Sequence, residues 1–314
     1  MNTKTHPKHL IIHSYTQNIL NILIQHRRRP KKHEASSDFS IQYDTIKKFV
    51  ERNKTIECVL PAFPAKSPNL NKVLGISTDK AEEISLYFLN FLCEKIKTVY
   101  PPGMRIILCS DGRVFSDVLN ISDQNVSSYQ KEIESFIKLK SLENLETYNL
   151  DYIYPTQDFD SMRFLLMQNF AESVEKLENR IKTHPSTKEL YCAMTRFIFE
   201  DSLTPDNKMT KAQLQKKSKH KAKLTIVRSN AWSKLLEQEF PNALRFSIHP
   251  HPAGSNKFGI RLVDKESWLT PWHGVALETK DGFKLVKKAY AIEIGAELIF
   301  SPNGKPSHFQ EKNS

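Results

Sequence analysis

The strongest constraint on the fold is the strand-like run Met104–Cys109, apolar but for Arg105, which breaks at once into Ser110-Asp111-Gly112-Arg113-Val114-Phe115-Ser116-Asp117. A short, mostly apolar run of this kind reads as a buried strand. Ligands of open α/β sheets bind beyond the carboxyl ends of such strands, so a polar loop at that position is a natural site wall.

Periodicity organises the chain around that strand. An N-terminal helix is followed at Gln25 to Ser40 by Arg27-Arg28-Arg29-Pro30-Lys31-Lys32 and small polar residues, a composition that reads as an exposed connector. Ile41, Ile46, Phe49 and Val50 then mark a helix, and Glu57 to Leu60 a strand. Asp79 with Glu82 signals a helix start, and Ile84, Phe88, Phe91, Leu92 and Ile96 line one face until Pro101-Pro102-Gly103. Another helix is expected from Asp123 to Leu142. Beyond the lysine-rich stretch Pro205 to Lys223, expected as an exposed helix or lid, come strands at Leu224 to Val227, Leu244 to Ile248 and Gly259 to Val263, with a helix at Ala231 to Phe240. The last fifty residues look β-rich. Alternating strands and helices predict an α/β fold whose central sheet is mainly parallel and flanked by helices.

Composition removes several function classes. With 39% hydrophobic and 26% charged residues, the chain has the make-up of a soluble globular protein, and no stretch approaches the ~18 apolar residues of a membrane helix. The apolar run Leu10 to Ile12 is too short for a secretory signal, so a cytoplasmic location is expected. The four cysteines, Cys58, Cys93, Cys109 and Cys192, have neither zinc-site nor disulfide-scaffold spacing and read as buried thiols. A net charge of +11 fits a phosphorylated small molecule, a nucleic acid or a merely solvated surface.

Four polar segments carry the candidate chemistry. In Pro61-Ala62-Phe63-Pro64-Ala65-Lys66-Ser67-Pro68-Asn69-Leu70-Asn71-Lys72 the prolines stiffen the backbone around Lys66 and Ser67, to bind phosphate or move a proton; a proline-rich surface turn is the alternative. In Ser110 to Asp117, Gly112 permits a positive φ while Asp111, Arg113 and Asp117 offer charge, against the alternative of a turn with a local ion pair. Ser247-Ile248-His249-Pro250-His251-Pro252-Ala253-Gly254-Ser255-Asn256-Lys257, flanked by Arg245 and Arg261, fits a histidine proton shuttle better than a metal site, because Pro250 intervenes and no carboxylate ligand is evident. Thr270-Pro271-Trp272-His273-Gly274 pairs an aromatic surface with an imidazole, either for a planar substrate or as a buried tryptophan beside a hydrogen-bonded histidine. No G-x-G-x-x-G, P-loop or G-x-S-x-G motif is present.

Taken together, P-A-F-P-A-K-S-P-N-L-N-K-V-L-G, S-D-G-R-V-F-S-D, R-F-S-I-H-P-H-P-A-G-S-N-K-F-G-I and T-P-W-H-G-V resemble the pyoverdine/dityrosine biosynthesis family, over roughly Ile41 to Phe300 and in the family's order. The resemblance implies a Rossmann-like catalytic domain of isocyanide synthase type over 41–314, preceded by the helix and basic connector of 1–40. It implies conversion of the α-amine of tyrosine or tryptophan to an isocyanide, with ribulose 5-phosphate as carbon-donating co-substrate and without a metal or nicotinamide cofactor. An iron and 2-oxoglutarate oxygenase is the implied pathway partner.

The proton-transfer candidates are Lys66, His249 and His273, whose types are readily tuned towards neutral pH. Arg113, Lys72, Arg245 and Lys257 are candidates for phosphate and carboxylate, and Asp111 and Asp117 for the ammonium or sugar hydroxyls. Ser67, Ser110 and Trp272 complete the expected substrate contacts, and all four segments are expected to converge on one cationic pocket. Two alternatives stand beside this. One is a phosphosugar-binding transferase of the dityrosine type, acting on tyrosine without forming an isocyanide. The other is a nucleic-acid binder using Arg27 to Lys32 and Lys208 to Lys223, which the lack of interleaved aromatics disfavours.

Overall fold

The computed structural model describes residues 6–30, 38–204, 207–265 and 267–312. Helix α1 (His6–Gln25) and helix α2 (Ser40–Glu51) lead into strand β1 (Ile56–Leu60). Helix α3 (Lys80–Lys97) then returns the chain to β2 (Met104–Cys109). Helices α4 (Gly112–Leu119) and α5 (Asp123–Leu139) precede β3 (Leu145–Tyr148). A helical block follows: α6 (Leu150–Ile153), α7 (Phe159–Phe170), α8 (Val174–Thr183), α9 (Pro185–Asp201) and the long α10 (Lys211–Glu239). Strands β4 (Leu244–Ser247) and β5 (Phe258–Gly259) complete a five-stranded, all-parallel sheet of order β3-β2-β1-β4-β5.

Strand alternation divides the core. Ile56, Cys58, Leu60, Met104, Ile106 and Leu108 pack with α1, α2, α3 and α5 on one face. Val59, Ile107 and Cys109 pack with α4, α7 and α10 on the other. Burial on both faces explains why these strands are mostly apolar, the exceptions Glu57 and Arg105 pairing with each other near the strands' amino ends. The β-rich C-terminus is a separate mixed sheet, built from β6 (Val275–Thr279), β7 (Gly282–Val286), β8 (Glu297–Phe300) and β9 (Pro306–Gln310) in the order β7-β6-β9-β8, with α11 (Lys288–Glu293) between β7 and β8. Among the described residues no helix is long and apolar enough to cross a membrane.

Several expectations are corrected. The polar loop after β2 is mostly helix: Val114, Phe115 and Val118 turn inward and carry the chain into α4 from Gly112. Gly112 does not have a positive φ. It is required because a Cβ there would lie 2.0 Å from the Pro64 carbonyl oxygen. Leu224 to Val227 is not a strand but the middle of α10, where Ile226 and Val227 pack against Leu177; local β propensity yields to tertiary packing. The expected strand Gly259–Val263 shrinks to Phe258–Gly259 plus a bridge between Arg27 and Ile260. Cys192 is exposed, unlike the other cysteines.

The basic connector is also not simply exposed. Arg27 and Arg28 are 7% and 6% exposed. Arg28 donates to the carbonyls of Ile248 and Ser267, and Arg27 to that of His251. Lys31 and Lys32 lie outside the described residues.

Arg113 and Arg163 meet on Asp123 at the α4–α5 junction. Arg113 donates to the Asp123 carboxylate at 3.0 Å and to Ser127 at 2.7 Å, and Arg163 reaches the same carboxylate through both Nη atoms at 2.9 Å. Burial pushes the Asp123 carboxyl up, but hydrogen bonds from Arg163, Arg113 and Ser116 outweigh this and hold it at about 2. A depressed carboxylate stabilises the fold above its unfolded value and loses that contribution as pH falls through the folded one. Arg163 keeps Asp160 and Arg113 keeps Asp151 and Ser127, so Asp123→Asn weakens the cluster without orphaning either cation and is expected to lower stability at pH 7 by ~1 kcal/mol. In denaturant titrations the gap to wild type should close as pH falls towards 2; a gap of constant size contradicts this account.

Candidate active site

In the order β3-β2-β1-β4-β5 the chain reverses its direction of sheet growth between β1 and β4. Loops leaving those strands diverge there and open a crevice, the usual ligand position in this architecture. A cavity of about 150 Å³ occupies that point. Pro61 borders it from beyond β1, Asp111 from beyond β2, and Arg245, Ser247 and His249 from β4 and its exit, with Lys257 opposite. A larger cleft of about 650 Å³, at the amino ends of β1 and β2, contains none of the candidate residues.

The cavity is electrostatically unbalanced. Burial and the neighbouring Arg245 push the Lys257 ammonium down, and no described side chain accepts from it. Arg245 is held by Glu237 and by Ser233 Oγ at 2.8 Å. Asp111 occupies the N-cap position of α4 without a side-chain cap bond, and burial raises its carboxyl to about 7. The His249 ring is open to the cleft's solvent yet has protein around most of it. Burial first, then Arg28 and Lys257, lower its pKa, so it is neutral at pH 7. His251 is pushed down to about 4 by burial, Lys257, His249 and Arg27.

A second polar group gathers on Asp201, at the end of α9. Its Oδ1 accepts from Ser67 Oγ and lies within ion-pair distance of Lys72, both at 2.9 Å, while its carbonyl takes Asn69 at 3.1 Å. His273, in the 3₁₀ turn Pro271–His273, packs edge-on to Phe197 at 4.8 Å. Burial lowers His273 to about 4, with Asp201 pulling up and Lys72 and Lys66 pushing down.

The expected single pocket is thus divided. Asp111, Arg245, His249 and Lys257 share the cavity; Ser67, Lys72 and His273 surround Asp201. The other candidates have structural partners. Lys66 is 3% exposed, and its Nζ contacts Asp79 at 2.8 Å, Glu82 at 2.9 Å and the Pro271 carbonyl at 3.1 Å, leaving no N–H for a substrate. Burial alone would lower its pKa, but Glu82 and Asp79 raise it, so the ammonium stays charged. Arg113 is turned to Asp123, with Phe159 stacked 3.7 Å from its guanidinium. Asp117 is exposed and paired with Arg228 at 3.0 Å. Ser110 donates to the Phe63 carbonyl at 3.0 Å, and Trp272 is buried against Phe63 with ring centroids 5.3 Å apart.

Sequence reasoning missed the back wall. Ser229, Trp232, Ser233 and Leu236 of α10 all line the cavity. Their spacing of three and four is a helical-face signal, hidden by the strand-like residues just before it. Asp201 carried no signal, since its partner Ser67 lies 134 residues away in the chain. Among the described residues no group of His, Cys, Asp and Glu could hold a metal ion.

A family model described as "Pyoverdine/dityrosine biosynthesis protein" matches residues 46–299. An L-tyrosine isonitrile synthase of Xenorhabdus nematophila is 41% identical over 309 residues, covering 95% of this chain and 92% of its own length. The L-tyrosine isonitrile synthase of Pseudomonas aeruginosa is 41% identical over 93% of both chains. An L-tryptophan isonitrile synthase of Fischerella ambigua is 35% identical, covering 94% of this chain and 91% of its own length. The crystal structure of the PvcA protein from Pseudomonas aeruginosa superposes with a TM-score of 0.90 at 40% identity, covering 95% of this chain and all of that one. The sheet order, the cavity at its switch point and these likenesses agree: the chain belongs to the pyoverdine/dityrosine biosynthesis family.

Proposed function

We propose that this protein is an isocyanide synthase that converts the α-amine of tyrosine or tryptophan to an isocyanide, with ribulose 5-phosphate supplying the carbon. One observation carries the assignment. At the switch point of a chain from this family, a small cavity brings together an unpaired ammonium, a guanidinium, a neutral histidine and a carboxyl poised near neutrality.

The chemistry follows from those groups. Lys257 and Arg245 neutralise the phosphate, since ammonium and guanidinium bind phosphoryl oxygens well. The amine condenses with the C2 ketone, and proton transfers and eliminations then release phosphate and the remaining carbon fragments. Neutral His249 accepts and returns protons, and Asp111 hydrogen-bonds the sugar hydroxyls. Lys72, Ser67 and His273 take the amino acid, with His273 as the second proton carrier. Lys66, Arg113 and Asp117 act through the loops they hold, and Ser110 and Trp272 set the shape of the first loop. No metal or nicotinamide takes part. The product passes to an iron and 2-oxoglutarate oxygenase in the cytoplasm.

The primary test is incubation of the purified protein with L-tyrosine or L-tryptophan and C2-labelled ribulose 5-phosphate. Mass spectrometry is expected to find an isocyanide carrying the label; absence of isocyanide with both amino acids refutes the assignment, and an unlabelled isocyanide refutes the donor. Lys257→Ala removes a charge-assisted contact worth ~1.5–3 kcal/mol, so KM for ribulose 5-phosphate should rise roughly tenfold or more while KM for the amino acid holds. Asp111 supplies a pH signature. Below about 7 it is protonated and above it ionised, so kcat/KM for ribulose 5-phosphate should rise through neutrality. Phosphate itself titrates in that range, but equally in every variant. The wild-type to Asp111→Asn ratio therefore isolates the carboxyl, and a ratio independent of pH removes Asp111 from the site.

A further inference from the structure

A second opening lies beyond the carboxyl end of β3. It is a cleft of about 250 Å³ between α5 and the Asn149 turn, and it shares no lining residue with the switch-point cavity. Two of its lining residues are amides, Gln130 at 7% and Asn149 at 3% exposure. Their orientations are fixed. Ser110 Oγ donates to the Phe63 carbonyl and so accepts from Gln130 Nε2, while Asn149 Oδ1 takes the Asp151 N–H as the cap of α6. Gln130 Oε1 and Asn149 Nδ2 are left with no partner among the described residues, yet neither is fully enclosed, unlike the unpaired Asp151 Oδ1. A buried amide that keeps a free, accessible atom in a cleft wall offers that atom to a ligand.

The other lining groups narrow the ligand. Lys131 is exposed and unpaired among the described residues, Glu134 is half-buried, and Asp151 is shared with Arg113 at 3.5 Å. A phosphate ester would meet two carboxylates and one free ammonium there. A zwitterion suits the same groups: its carboxylate meets Lys131 and Asn149 Nδ2, and its ammonium meets Gln130 Oε1 and Glu134. Tyr152 is 58% exposed and stacks on Tyr148, centroids 6.1 Å apart and 7° from parallel, so an aromatic ring braced on one side remains open at the cleft. The volume, a little below the ~300–1,000 Å³ of ordinary ligand sites, suits one amino acid.

We propose that this cleft is a second binding site, for an aromatic α-amino acid held without reacting: Gln130 and Asn149 read the zwitterion, and Tyr152 takes the ring. The inference goes beyond the assignment above, which gives the reacting amino acid to Lys72, Ser67 and His273.

Calorimetric titration with L-tyrosine and with L-tryptophan, without ribulose 5-phosphate so that nothing turns over, compares wild type with Asn149→Asp and Tyr152→Ala. Asn149→Asp keeps the oxygen that caps α6 and exchanges the donor for a negative charge, so one binding event should weaken roughly tenfold or more. Tyr152→Ala should weaken the same event about threefold or more through loss of the ring contact. In both variants KM for the amino acid in isocyanide formation should match wild type. An unchanged titration of Asn149→Asp overturns the site; should that variant not fold, Tyr152→Ala, at an exposed position, decides in the same way. A wild type that binds neither amino acid overturns the site as well. A KM that rises in step with the weakened binding overturns the separation, making the cleft the substrate's own. If no isocyanide forms at all, the assignment above fails while the titration still decides this one.

Discussion

One buried ammonium holds the catalytic edge of the molecule together. Lys66 lies between Asp79 and Glu82, the two ends of the α3 capping box, and also donates to the carbonyl of Pro271. Taking such charges out of water costs several kcal/mol per ion unless each finds good partners, so the group tolerates few alternative arrangements. Two carboxylates against one ammonium leave an excess negative charge. Burial, with Glu82 adding to it against the pull of Lys66, raises the Asp79 carboxyl, so proton uptake relieves that excess. Through this cluster the proline loop, the start of α3 and the Trp272–His273 turn become a single unit.

The remaining segments join that unit through its main-chain carbonyls. Ser67 N–H donates to the Trp272 carbonyl at 3.0 Å, Ser110 Oγ donates to that of Phe63, and Gly112 lies against Pro64 so closely that no side chain fits. The histidine loop is braced from the other side. Arg27 and Arg28 grip its carbonyls, and a Cβ on Gly259 would lie 2.7 Å from the His249 carbonyl oxygen. Preorganisation of this kind is what acid–base and electrostatic catalysis require, because groups that need not reorganise keep their full effect.

Much of the parallel sheet was legible because its strands and helices carry unambiguous periods. The capping box at Asp79, the stop at Pro101 to Gly103 and the mostly apolar Met104–Cys109 run each rest on local rules that tertiary structure did not overturn. Residue types at the site were legible too, but directions were not. Lys66 and Arg113 look in sequence like substrate-binding cations, and only long-range packing reveals that carboxylates already claim them. Arg27 and Arg28 look solvated for the same reason: their acceptors are backbone carbonyls more than 200 residues away, which leave no mark on composition. Trp232 falls within the expected helix Ala231 to Phe240, but which of its faces turns inward depends on the sheet it packs against, and Asp201 ends α9 beside a partner 134 residues away in the chain.

That undivided helix has a mechanical meaning. Its first turns carry exposed lysines at positions 211, 216, 217 and 219, and residues 229–236 of the same rod form the cavity's rear wall. At ~1.5 Å of rise per residue, 29 residues make a stiff beam about 43 Å long, buried over its inner half among α4, α7, α8 and α9. A beam so anchored ties the cavity's rear wall to four neighbouring helices at once, so the position of that wall is set by the packing of the whole helical block.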